Sequence, residues 1–222
     1  MPTHSPLARA LGLGAALAAA PAPAAAQPTL FDTFGPGLSY SAFNYGVNGA
    51  GDSQAFRFVP SASAPLGQIT VALGRTGAAQ TATVFTLFEG ASSTSLGRQL
   101  EVFTVPNVAP PALTPPFTGV TVTFTSVAQP LLTAGQGYWL AYSEPEAANG
   151  ASSLWFFSPL GVTAPRIHFN GAVDPRAVLP AFRVEAAVAV VPEPATFGLV
   201  AVGVAVAGGV AAQSGRRRRA HR

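Results

Sequence analysis

Between Gln27 and Val190, apolar and polar residues alternate with a period of two in short runs. In Gln68-Ile69-Thr70-Val71-Ala72-Leu73, the side chains of Ile69, Val71 and Leu73 fall on one face of an extended segment and the others fall on the opposite face. Phe56 and Phe58 flank Arg57 in the same way within 53–59. The pattern predicts further strands over 81–88, 99–105, 119–125, 137–143, 154–158, 166–169 and 181–187, nine in all. Clusters of Gly, Pro, Ser and Asn separate them at 61–67, 109–116 and 145–153, a spacing typical of all-β sandwiches. A βαβ unit would need amphipathic stretches of about ten residues between strands, and the pattern holds none. The expected fold is all-β, an antiparallel β-sandwich with a jelly-roll wrap. Residues 27–190, 164 in number, suffice for one sizeable core.

Both ends depart from this pattern. Arg9 precedes an apolar run at 11–20, and Ala24-Ala25-Ala26 stands before Gln27, which predicts a signal peptide over 1–26 cut between Ala26 and Gln27 by signal peptidase after passage through the export machinery. Pro21 and Pro23 stop the apolar run well short of a membrane span. At the other end, Val191-Pro192-Glu193-Pro194 leads into eighteen residues without a charge, 195–212, and then a basic tail at 216–222 containing Arg216, Arg217, Arg218 and Arg219. At about 1.5 Å per residue such a helix just crosses a bilayer's hydrocarbon, but its Ala and Gly content makes the span marginal. The arginines belong on the cytoplasmic side, with Pro194 and everything before it outside. Pro192 and Pro194 keep the juxtamembrane segment extended, a shape that a processing enzyme grips.

This order of motif, helix and basic stop closely resembles the PEP-CTERM tail of Gram-negative bacteria. The resemblance implies an exosortase, a membrane protease or transpeptidase acting at the motif. It also implies transient residence in the inner membrane and delivery to the cell surface or the exterior. Phe31-Asp32-Thr33-Phe34-Gly35-Pro36-Gly37, 53–58, 67–74 and 131–140 resemble the blocks of choice-of-anchor R domains, for which the resemblance implies no activity and no catalytic residue.

Charge counts change once the two signals are set aside. The chain carries +3 overall, yet residues 27–190 hold six arginines against eight acids. The basic residues there are scattered, which argues against a nucleic-acid partner. Lysine is absent, which removes Schiff-base chemistry and the phosphate-cradling lysine of a P-loop, and cysteine is absent, which removes disulfides and thiolate metal sites. Only 9% of residues are charged, which suits association with a neutral polymer such as exopolysaccharide.

Candidate chemistry is sparse. His168 is the one histidine of 27–190, so a Ser-His-Asp site would need it, with Asp174 to orient it; a side chain pointing outward from its strand is the simpler expectation, since no G-x-S-x-G elbow is present. Glu144 and Glu146 flank Pro145 and are the two acids a paired-carboxylate glycosidase would draw on, but on one turn they are expected to point apart into water. No cofactor is expected; Asp32, Asp52 and Asp174 are the carboxylates available for structural calcium, without a D-x-D-x-D-G run. Trp139, Tyr142, Trp155, Phe156 and Phe157 are the aromatics available for stacking a sugar ring, with Tyr142, Trp155 and Phe157 as the candidate face, although Trp139 and Trp155 fit a core. The leading expectation is an exported, non-enzymatic surface or matrix protein; the alternatives are a carbohydrate-binding module and a secreted hydrolase.

Overall fold

The computed structural model describes residues 26–47, 51–76, 83–105, 119–144, 152–168 and 171–188. The signal residues up to Ala25, the motif at 191–194, the apolar segment 195–212 and the basic tail 216–222 lie outside these. Among the described residues no helix is long and apolar enough to cross a membrane.

Thirteen strands are present among the described residues: β1 (Thr29–Asp32), β2 (Asn44–Val47), β3 (Ser53–Phe58), β4 (Ala64–Thr76), β5 (Thr83–Gly90), β6 (Leu96–Val105), β7 (Val120–Thr125), β8 (Leu131–Leu132), β9 (Tyr138–Ser143), β10 (Ser152–Phe156), β11 (Thr163–His168), β12 (Val173–Val178) and β13 (Phe182–Ala186). Each of the nine predicted runs overlaps one of them. The four that the pattern does not reveal are β1, β2, β8 and β12. Three are too short, at four, four and two residues, for a period to show. The fourth, β12, carries Asp174-Pro175-Arg176, and a proline is tolerated there because the strand lies at a sheet edge.

The strands form two antiparallel sheets that pack as a sandwich. One is six-stranded in the order β12-β11-β3-β9-β5-β6. The other is built on the thirteen-residue β4. Val71 pairs with both Phe182 and Val122, and Leu73 with both Trp155 and Val120, so β13 and β10 lie end to end along one side of β4 and β7 runs along the other. Beyond β13 lies β1, and beyond β10 lies β2. Gly67 sits at the bulge where β13 slips register against β4; a Cβ there would come 2.4 Å from the Ala186 carbonyl oxygen, so only glycine allows this approach.

Aromatic side chains join the sheets. Phe56 of β3, Phe85 of β5 and Tyr142 of β9 meet Trp155 of β10 edge-on, with ring centroids 5.3, 5.1 and 5.3 Å away. Phe58 packs on Phe182, and Phe103 on Phe124. A second, smaller cluster of Phe34, Ala72, Phe156 and Ala181 lies on the opposite side of the β4 sheet, with Leu38 and Tyr40 of the β1–β2 connection packed over it. That sheet is therefore apolar on both sides where β4 and β10 meet.

Candidate functional site

The residues expected to form a stacking face belong to the core. Trp155 and Tyr142 are both 0% exposed. Strand parity turns Trp155 between the sheets, where its indole N–H donates to the Ala181 carbonyl at 3.1 Å and its faces are taken by the rings around it. Tyr142 turns inward from β9 and donates its hydroxyl to the Tyr45 carbonyl at 2.7 Å. Phe157 does share the parity of Trp155, but it is half-buried against Tyr45 at 4.3 Å. Trp139 is also fully buried, though it faces away from the shared core beside Arg57 and Phe88, and its indole N–H has no hydrogen-bond partner.

Ionisable groups gather at the end of the sandwich where β2, β9 and β11 finish and β3, β10 and β12 begin. Arg166 is central. Its guanidinium lies 4.4 Å over the Tyr45 ring, donates to Gln54 Oε1 at 3.4 Å, and pairs with Asp174 Oδ2 at 3.4 Å. Desolvation raises the Tyr45 phenol despite the opposing charge of Arg166. Gln54 in turn donates to the Gly46 carbonyl at 2.8 Å, tying β3 to β2 across the sandwich.

His168 corrects the outward orientation expected for it. It pairs with Gln54, while Ile167 pairs with Ala55, so His168 lies on the same side of β11 as Arg166, toward the other sheet. Partial burial lowers its pKa, and the charge of Arg166 lowers it further. Asp174 does not orient it: the carboxylate accepts from Arg166 and from the Arg176 backbone N–H at 3.0 Å. No nucleophile, base and orienting acid are linked in sequence among the described residues.

Glu144 is a second correction. It continues the inward parity of Tyr138, Leu140 and Tyr142 and is wholly buried rather than solvated. One carboxylate oxygen accepts a short hydrogen bond from the Ser153 hydroxyl, which is also 2.6 Å from the Thr83 hydroxyl; the other oxygen, Oε2, has no partner. Glu146 lies outside the described residues. The register that pairs Ser53 with Ser143 sets Asp52 opposite Glu144 one step further along. Tyr142 feels this arrangement: burial raises its phenol well above the ordinary value of 10.0, and the charges of Asp52 and Glu144 raise it further.

The three carboxylates available for calcium are not assembled. Asp32 is held on β1 by Arg183 at 2.7 Å and caps the Phe34 N–H at 2.9 Å, whereas Asp174 is held by Arg166. Among the described residues, no three His, Asp or Glu side chains stand close enough to share a metal ion.

At the opposite end, a shallow cleft of about 540 Å³ opens between the β5–β6 hairpin and the β8–β9 connection. Its walls include Gln136, Thr133, Leu131 and the ion pair of Glu89 with Arg98 at 2.6 Å. Arg98 is exposed and Glu89 partly so, and each partner shifts the other toward its charged form, mainly through the hydrogen bond. Tyr138 at its base is buried and accepts the Thr133 N–H at 2.9 Å, so it offers no free ring face. Compared with known proteins, the chain matches no family model and has no significant match among curated proteins.

Proposed function

We propose that the chain is the precursor of an exported, non-enzymatic protein of the cell surface or extracellular matrix. In this reading, signal peptidase cuts after Ala26, an exosortase-type enzyme processes the tail at Val191-Pro192-Glu193-Pro194, and the β-sandwich is delivered outward, where it associates with exopolysaccharide. The observation that carries the reading is the order of segments in the sequence: a cleavable leader, a strand-rich middle, then motif, apolar span and Arg216 to Arg219. The sandwich is compatible with such a role, because its stability rests on burial rather than on cysteine or lysine chemistry. A jelly-roll wrap is the topology proposed for it, supported by the repeated passage of the chain between sheets: of the connections between successive strands, only β1–β2, β5–β6, β7–β8 and β11–β12 stay within one sheet.

The carbohydrate-binding alternative loses its stacking face to the core, and the hydrolase alternative loses the acid expected to orient His168. The test of the leading reading is replacement of Pro192, Glu193 and Pro194 by alanine in the producing cell. Accumulation of the uncut chain in the inner membrane is expected. Release identical to that of the unaltered chain would remove the motif from the account.

A further inference from the structure

The sheet edges are not treated alike. At one edge of the six-stranded sheet, β12 carries Asp174, Pro175 and Arg176; at the other, β6 carries Arg98 and Glu101 and slips register twice against β5. On the β4 sheet, β1 and β2 are four residues each and β8 is two. These are the devices by which proteins keep edge strands from pairing with other chains: charge, proline, bulges and shortness. The exception is β7, Val-Thr-Val-Thr-Phe-Thr from Val120 to Thr125, with no charge, proline or glycine. It pairs with β4 in six consecutive registers without a slip, and among the described residues no strand pairs with its other side.

The ladder fixes which of its backbone groups are free. The Ala72 N–H donates to the Ala181 carbonyl at 3.2 Å, so Ala72 turns toward β13 and its neighbours Val71 and Leu73 turn toward β7. Their partners Val122 and Val120 turn toward β4. By alternation, Thr121, Thr123 and Thr125 direct their N–H and C=O groups away from the sheet, and their side chains are exposed. Just beyond the strand, Val127 is 92% exposed.

We propose that β7 is a homotypic assembly edge, taken by β7 of a second copy of this chain in antiparallel register about Thr123. The strand is its own complement. With Thr123 opposite Thr123, Thr121 faces Thr125 and Val122 faces Phe124, so hydroxyl meets hydroxyl and apolar meets apolar without a charge at the seam. All three outward-turned threonines then occupy hydrogen-bonded positions, giving about six inter-chain N–H···O=C bonds. The hydroxyl row that begins with Thr70 and Thr123, 2.8 Å apart, continues across both copies. Assembly of this kind is independent of how the tail is processed.

The chain contains no cysteine, so one introduced thiol reports the register. In the full chain in detergent solution, Thr123→Cys is expected to form a disulfide-linked dimer under mild oxidation at least ~10-fold faster than Thr104→Cys on β6. The reason is that hydrogen-bonded antiparallel pairs stand about 5.5 Å apart at Cα, within disulfide range. Thr121→Cys alone should not link, but should link to Thr125→Cys when the two are mixed. In light scattering, Thr123→Pro should convert a wild-type dimer to monomer with an unchanged far-UV spectrum, since the N–H it removes points away from β4. Equal rates for Thr123→Cys and Thr104→Cys would overturn the proposal. So would a Thr123→Pro chain as dimeric as wild type, or a monomeric wild type, even if another protein's strand were found on the edge.

Discussion

Replacing Trp155 by alanine separates a core residue from a binding residue. The side chain is 0% exposed, three aromatic rings meet it edge-on within 5.1 to 5.3 Å, and Phe182 lies 5.5 Å away. Truncating a large buried aromatic costs about 3–5 kcal/mol from lost transfer energy and the cavity left behind. The lost indole hydrogen bond adds little, because the Ala181 carbonyl keeps its bond from the Ala72 N–H. A domain of this size is stable by roughly 5–15 kcal/mol, so Trp155→Ala should remove a large part of the margin. Urea unfolding followed by far-UV circular dichroism measures this directly, and Trp155→Phe should lose roughly half as much. If Trp155→Ala unfolded within about 1 kcal/mol of wild type, the ring could not be the centre of the core, and the stacking-face reading would revive.

Tyr142, held neutral by burial, makes an alkaline prediction. Its folded pKa lies above that of the unfolded chain, so stability should fall as pH rises past about 10, where only the unfolded form ionises; Tyr142→Phe should flatten that limb in pH-dependent melting. Ser153→Ala removes the one hydrogen-bond donor to the buried Glu144 carboxylate among the described residues and should destabilise by about 2–3 kcal/mol in denaturant titration, with Ser153→Thr milder. Glu101 on β6 accepts from the Val127 and Ala128 N–H groups at 2.7 and 3.1 Å and from the Ser126 hydroxyl; Glu101→Ala should therefore cost about 1–2 kcal/mol and speed amide exchange at residues 126–128.

The alternation of apolar residues was enough to locate nine strands and the all-β class, because each long strand has one face in a continuous core. It could not say which face. On β10, Leu154 and Phe156 oppose Ser153, Trp155 and Phe157, and both sides read as apolar because the β1–β2 connection covers Phe156 while the opposite sheet covers Trp155. For the same reason a shared parity between Trp155 and Phe157 was visible, while their burial was not. The orientation of His168 depends on the partner strand: nothing in Arg166-Ile167-His168 reveals that Gln54 lies opposite and that the inter-sheet space there is polar. Glu144 was legible in principle, since it continues the parity of Tyr138, Leu140 and Tyr142. The proline after it suggested a solvated turn, but the Ser153 hydroxyl that receives it, itself bonded to the Thr83 hydroxyl, comes from another strand.

The central claim is sorting, and the most direct measurement is the intact mass of the protein from its producing cell, taken with the fraction that holds it. The account predicts an N-terminus at Gln27 and a C-terminus near Pro194, with or without an added group, in the surface or extracellular fraction. An inner-membrane chain still ending in Arg222 would contradict it.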